Sequence, residues 1–89
     1  MRMESSSTGQ TKPEVVDGVL QRVDLIDREV TVRSDEGSMT FSVSPRCEVL
    51  LNGERVKLRL LQPSDRVRVA YRPREEGWAA LSLEALTRL

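Results

Sequence analysis

The feature that most constrains the fold is a hairpin signal between two apolar runs. Asn52-Gly53 follows the run that ends at Leu51, and a type I′ turn needs the positive φ that Asn and Gly tolerate at both central positions. Leu58 to Leu61 is predicted to form one helical or 3-10 turn. The turn Pro63-Ser64-Asp65 then begins a strand that alternates apolar and basic residues up to Arg72. This segment is typical of the closing half of a small antiparallel β-barrel.

The same period-two alternation organises the rest of the chain. In the predicted first strand, 14–24, the phase slips between Leu20 and Val23, which a β-bulge would explain, with Gly18 easing the bend. Pro45 is predicted to end a strand, since proline cannot donate to a ladder. The remaining predicted elements are strands over 29–33, 38–43, 47–51 and 78–84, a very short strand over 55–57 and a frayed helical turn over 85–89.

Composition limits the chain to one small domain without disulfides or structural metal sites. Residues 1–12 are polar and aperiodic and predict a disordered tail, which leaves 13–89 as a single β-barrel domain. Cys47 is the only cysteine and histidine is absent, so we predict no internal disulfide, no metal site and no cofactor. Cys47 is in phase with Val49 and Leu51 and is predicted to be buried.

The chain shows no membrane or export signal. No apolar run approaches the roughly 18 residues that span a bilayer, and no apolar stretch follows a basic N-terminus. The sequence therefore predicts a cytoplasmic protein with no membrane partner.

These turns and apolar spacings resemble a family of small bacterial OB-like β-barrel domains of unknown function. The residues that carry the resemblance are Gly18-x-Leu20-x-x-Val23-Asp24, Val30-Thr31-Val32, Phe41-x-Val43, Val49-x-x-Asn52-Gly53 and Leu61-x-Pro63-Ser64-Asp65-x-Val67-x-Val69. Ser64 stands where that family has glycine. The resemblance implies no catalytic residues. We expect an all-β fold, a small antiparallel, partly open OB-like barrel of six to seven strands with one short helical or 3-10 turn.

An enzyme is not expected. The usual general base, histidine, is missing. The clustered carboxylates Asp24/Asp27 and Asp35/Glu36 lie in predicted turns, where such side chains cap the backbone. We therefore predict no catalytic residues.

Positive charge is concentrated in one region although the formal net charge is zero. Seven basic residues against one acid lie between Arg55 and Arg74, and with Trp78 as a stacking platform they form a candidate surface for anions or single-stranded nucleic acid. Phe41 and Tyr71 are in the inward phase and cannot stack on bases. The ordinary explanation is a solvated edge strand that arginines protect from aggregation. The candidate site residues are Arg55, Lys57, Arg59, Arg66, Arg68, Arg72, Arg74 and Trp78.

The leading functional hypothesis is a non-enzymatic interaction module that binds a protein partner or a second copy of itself. Small barrels can accept a partner strand at an edge, and exposed leucines and isoleucine could form a patch: Leu25-Ile26, Leu81/Leu83, Leu86 and Leu89. The alternative hypothesis is weak binding of single-stranded nucleic acid through the arginine-rich face.

Overall fold

A computed structural model describes residues 13–86 of the chain. The elements in this range are β1 (Glu14–Asp24), β2 (Glu29–Ser34), β3 (Gly37–Leu51), β4 (Glu54–Arg55), a 3-10 turn (Leu58–Leu60), β5 (Arg66–Pro73) and β6 (Trp78–Leu86). The predicted all-β, OB-like class with one 3-10 turn is confirmed. No helix in this range has the length and apolarity to cross a bilayer. The predicted disordered tail, residues 1–12, lies outside the described residues.

Five of the strands form a closed barrel. β1 pairs antiparallel with β2 and with β5, β5 pairs antiparallel with β6, and β6 runs parallel to β3. β3 returns antiparallel to β2 and so completes the ring, and the two-residue β4 pairs with the end of β3. The barrel is closed, where the sequence predicted a partly open one, because the long β3 reaches both β2 and β6.

The predicted β-bulge in β1 is confirmed. The ladder with β2 shifts between Leu20 and Arg22, so Gln21 is the extra residue. Just before the bulge, a Cβ on Gly18 would lie 2.3 Å from the carbonyl oxygen of Arg33. Gly18 therefore permits a close approach of the β1 and β2 backbones where the barrel bends.

The predicted strand break at Pro45 is wrong. The strand is continuous over Gly37–Leu51. Its ladder with β2 reaches Ser42, and its ladder with β6 shifts between Val43 and Glu48. Pro45 falls in that interval, where its missing N–H removes no ladder hydrogen bond.

The helical turn predicted over 85–89 is wrong at its first two residues. Ala85 and Leu86 belong to the strand. Ala85 is fully buried and lies opposite Val67 of β5 and Leu51 of β3, and this pairing on both sides outweighs the helix propensity of alanine and leucine. The rest of the predicted helical turn, 87–89, lies outside the described residues.

Two turns lead the chain into β5. Asn52 and Gly53 have φ of 52° and 87°, which confirms the predicted turn with positive φ at both positions. In the later turn Ser64 has φ of 82°. The Ser64 N–H donates to the Leu20 carbonyl at 2.7 Å, and the Leu20 N–H donates to the Asp65 carbonyl at 2.8 Å. The second turn is thus bonded to the bulge of β1.

The core is an aliphatic cluster with Phe41 and Tyr71. Its buried members are Leu20, Val30, Val32, Phe41, Val43, Val49, Leu58, Leu61, Val67, Val69, Tyr71, Ala80, Leu83 and Ala85. Leu83 is fully buried, so the predicted exposed face with Leu81 does not form. Leu25 and Ile26 are 51% and 93% exposed. They lie in the β1–β2 turn, where the Asp24 carboxylate accepts from the Ile26 N–H at 3.0 Å.

Candidate functional site

A groove of about 700 Å³ crosses the outer surface of the barrel. It runs over β1, β5 and β6 and is bounded at one side by the turn that follows β2. Three arginines, three carboxylates and two aliphatic side chains dominate its lining: Arg33, Arg66, Arg68, Asp17, Asp35, Glu84, Val19 and Leu86.

Strand alternation places these side chains on the outer face. In β5, Val67 and Val69 are buried and Arg66 and Arg68 are exposed, as the sequence predicted. Because β1 lies between β2 and β5, its outward residues have neighbours on both sides. The groove side chains therefore form two rows across the sheet.

The first row is centred on Arg68. Arg68 lies opposite Asp17 of β1 and opposite Glu84 of β6. The Arg68 Nε donates to Asp17 Oδ1 at 2.7 Å, and Nη2 donates to Oδ2 at 3.3 Å. The hydrogen bond from Arg68 lowers the pKa of the Asp17 carboxyl, and the same bond raises the pKa of Arg68. One arginine and two carboxylates give this row a net negative charge.

The second row is positive. Val19 lies opposite Arg33 of β2 on one side and Arg66 of β5 on the other, and Arg66 lies opposite Leu86 of β6. Within residues 13–86, neither Arg33 nor Arg66 forms an ion pair. Val19 and Leu86 are 40% and 54% exposed. The row thus combines two uncompensated guanidinium groups with an apolar floor.

The other basic residues of the predicted site lie elsewhere on the barrel. They are Arg55, Lys57, Arg59, Arg72 and Arg74, and none of them lines the groove. Arg55 forms an ion pair with Glu48 at 3.3 Å. Lys57 and Arg59 lie at the 3-10 corner, and Arg72 and Arg74 lie at the opposite end of β5 from Arg66. The structure therefore brings together only Arg66 and Arg68 of the predicted basic set.

Trp78 belongs to an aromatic cluster. Its ring centroid lies 6.0 Å from that of Phe41 and 6.3 Å from that of Tyr71, and the Phe41 and Tyr71 centroids are 5.1 Å apart. Trp78 is partly buried and packs against the core. The ring is thus engaged with other rings and lies outside the groove.

Cys47 is half-buried at the edge of the core. Burial raises the pKa of its thiol to about 11. The thiol is therefore protonated at neutral pH. The side chain packs against the core, but it is only partly buried where the sequence predicted burial.

Asp17, Arg33 and Glu84 were not predicted as site residues. Alternation alone places Arg33 on the outer face of its strand. Its proximity to Arg66 depends on β1 pairing with both β2 and β5. No local signal in the sequence reports that pairing.

No protein-family profile matches the sequence, and no curated protein is significantly similar to it. Solved structures are similar in fold. A crystal structure of Ag(I)CusF matches with a TM-score of 0.69 at 14% identity, over 84% of this chain and 99% of that chain. A tryptophan-to-alanine CusF variant with Cu(II), from Escherichia coli, matches with a TM-score of 0.68 at 14% identity, over 86% and 95%. Apo-CusF from Escherichia coli matches with a TM-score of 0.63 at 17% identity, over 93% and 98%.

These comparisons correct two predictions. The predicted function, a protein-interaction or self-association module with single-stranded nucleic acid as the alternative, is wrong, because the similar structures are of CusF, a protein whose structures contain Ag(I) or Cu(II). The predicted cytoplasmic location is wrong as well, because CusF is periplasmic. The prediction of a non-enzymatic protein agrees with them, since the similar structures are of a metal-binding protein. What the similarity shows of this chain is its fold, a small OB-like β-barrel that matches the CusF structures.

Proposed function

We propose that this chain is a non-enzymatic protein that binds a small anionic ligand in the groove over β1, β5 and β6. The observation that carries the proposal is the pair Arg33 and Arg66. Both residues line the groove, and neither has an ion-pair partner within residues 13–86. Arginine presents several N–H donors in a fork that matches a carboxylate or phosphate group.

The placement of the two arginines supports one shared anion. They flank Val19 in register, one on each neighbouring strand. Two strand spacings separate their backbones by about 10 Å, and both long side chains can reach an anion above Val19. The partial enclosure of the groove reduces screening by water compared with a flat surface.

Silver or copper binding, which the names of the CusF structures state for that protein, has weak support in this chain. Soft metal ions prefer thiolate, thioether and imidazole donors. Histidine is absent, and residues 13–86 contain no cluster of three His, Cys, Asp or Glu residues able to hold a metal ion. The soft sulfur donors in that range, Met39 and Cys47, are eight positions apart on β3, roughly 26 Å in a straight strand. The donor set does not fit such a metal.

A chemical-shift titration of the full-length ¹⁵N-labelled protein tests the proposal. Sodium hexanoate and inorganic phosphate serve as probes at constant low ionic strength. We expect saturable shifts of the groove amides at 17–19, 33–35, 66–68 and 84–86. The variants Arg33→Gln and Arg66→Gln should each weaken binding about tenfold, since each removes a charge-assisted hydrogen bond.

Arg72→Gln is the matched control. Arg72 is exposed on the same strand as Arg66 and lies outside the groove, so its replacement should leave the affinity within about twofold. The proposal is overturned if neither probe shifts the groove amides at millimolar concentration. It is also overturned if Arg72→Gln weakens binding as much as Arg66→Gln does.

A further inference from the structure

We infer that the ligand of this groove carries a single negative charge and an apolar tail, as a medium-chain carboxylate does. The inference rests on the proposed function, because it concerns the same groove. It follows from the different charges of the two rows of side chains.

The positive row can hold one anionic group. Arg33 and Arg66 are the groove arginines without an ion pair among the described residues, and both belong to this row. Arg68 is the third groove arginine, and its charge is paired with Asp17 through two hydrogen bonds, from Nε and Nη2. A bound anion therefore finds unpaired positive charge at one end of the groove.

The neighbouring row disfavours a second anionic group. Asp17 and Glu84 flank Arg68 in register, and Asp35 adds a third carboxylate to the lining. Like charges at such distances repel at a cost of about 1 kcal/mol or more per pair. A dicarboxylate, a polyphosphate or a nucleic-acid backbone would place a second charge against these carboxylates.

The floor of the positive row favours an apolar tail. Val19 lies between the two arginines, and Leu86 lies beside Arg66. Both side chains are substantially exposed, at 40% and 54%. Exposed aliphatic surface inside a concave site gains free energy when a ligand covers it.

The test compares acetate, butyrate, hexanoate and glutarate by the same titration at matched ionic strength. Affinity should rise about two- to fourfold for each added methylene of the monocarboxylates. Glutarate should bind no more tightly than acetate. Glu84→Gln should strengthen glutarate binding more than hexanoate binding, since it removes a like charge from the neighbouring row.

Two variants measure the contribution of the apolar tail to affinity separately from that of the charged group. Val19→Ser and Leu86→Ser should each reduce hexanoate affinity while leaving acetate affinity unchanged. Val15→Ser is the control, because Val15 is 58% exposed on the same strand and does not line the groove. Leu86 lies at the end of its strand, so Leu86→Ser tests the inference even if Val19→Ser does not fold.

The outcomes distinguish the two proposals. If glutarate or phosphate binds the groove more tightly than hexanoate, or if tail length has no effect, the ligand class is wrong and the anion-binding function stands. If none of the probes shifts the groove amides, both are wrong.

Discussion

The Arg68 guanidinium group binds the Asp17 carboxylate across the β1–β5 ladder, with Nε to Oδ1 at 2.7 Å and Nη2 to Oδ2 at 3.3 Å. The two side chains are equally exposed, at 64% each. An ion pair in such a position contributes little to stability. Its main effect is on the groove, where the Asp17 carboxylate offsets the positive charge with which Arg68 would attract an anionic ligand.

Replacing Asp17 with Asn should therefore strengthen anion binding. The change releases Arg68 and removes a like charge from the groove, and we expect about a fivefold gain in hexanoate affinity. A chemical-shift titration measures it. Asp27→Asn is the control, because Asp27 is an exposed acid in the β1–β2 turn and does not line the groove. Equal affinities for Asp17→Asn and the parent protein would contradict the role assigned to this ion pair.

Gly18→Ala should destabilise the barrel markedly. The new Cβ would lie 2.3 Å from the Arg33 carbonyl oxygen and 2.7 Å from Val32 Cγ1, so β1 and β2 must separate at the bulge. We expect a loss of about 1–3 kcal/mol or more in the free energy of unfolding, measured in urea. Gly53→Ala serves as comparison, because a Cβ there meets no atom within 4 Å and only the φ of +87° opposes it. A smaller loss for Gly18→Ala than for Gly53→Ala would show that the backbones are not in close contact.

Ser64→Gly should stabilise the protein. Ser64 has φ of 82°, and a left-handed backbone costs a residue with a Cβ about 1–2 kcal/mol. Glycine removes this strain but adds conformational freedom to the unfolded chain. The expected net gain is about 0.5–1 kcal/mol in urea unfolding. Ser64→Ala keeps the Cβ and should show no such gain, and a comparable gain in that variant would exclude backbone strain as the cause.

The Cys47 thiol should react slowly in the native protein. Burial raises its pKa to about 11, so only about one thiol in ten thousand is ionised at pH 7. We expect the rate with a disulfide reagent to be far below that of the urea-unfolded chain and to rise with pH toward 11. The pKa of the thiol is higher in the folded state than in the unfolded state. The contribution of the thiol to the free energy of unfolding is therefore complete below the ordinary pKa of 9.0 and is lost as the pH rises through about 11. A fast native reaction at pH 7 would contradict the half-buried position.

Silver and copper ions should not bind in a defined site within residues 13–86. The sulfur donors Met39 and Cys47 are too far apart along β3 to share one ion, and histidine is absent. Calorimetry with Ag(I) on the full-length protein and on a Cys47→Ser variant measures this. Saturable, equimolar binding that survives in Cys47→Ser and shifts the Met39 methyl resonance would overturn it. Equivalent binding by CusF under the same conditions is the positive control.

Local pattern determined much of this fold. Period-two alternation identified which side of β5 is buried, since Val67 and Val69 face the core whatever strand lies beside them. The Asn52-Gly53 turn and the bulge after Gly18 were predictable because φ preference and phase are properties of a few consecutive residues. The continuity of β3 and the end of β6 were not, because ladder pairing with distant strands carries β3 through Pro45 and β6 through Ala85.

The groove was decided by tertiary structure. The sequence identified Arg66 and Arg68 as exposed basic residues on one strand, but the same alternation predicted Arg72 to be an equally good site residue. Closure of the barrel brings Asp17 against Arg68 and places Arg33 across Val19 from Arg66, at separations of tens of residues along the chain. Charge compensation depends on distance in space, so the sequence alone shows a run of arginines but not which of them lie next to a carboxylate. The register of β1 between β2 and β5 decided that Arg68 is paired with Asp17 and that Arg66 is not.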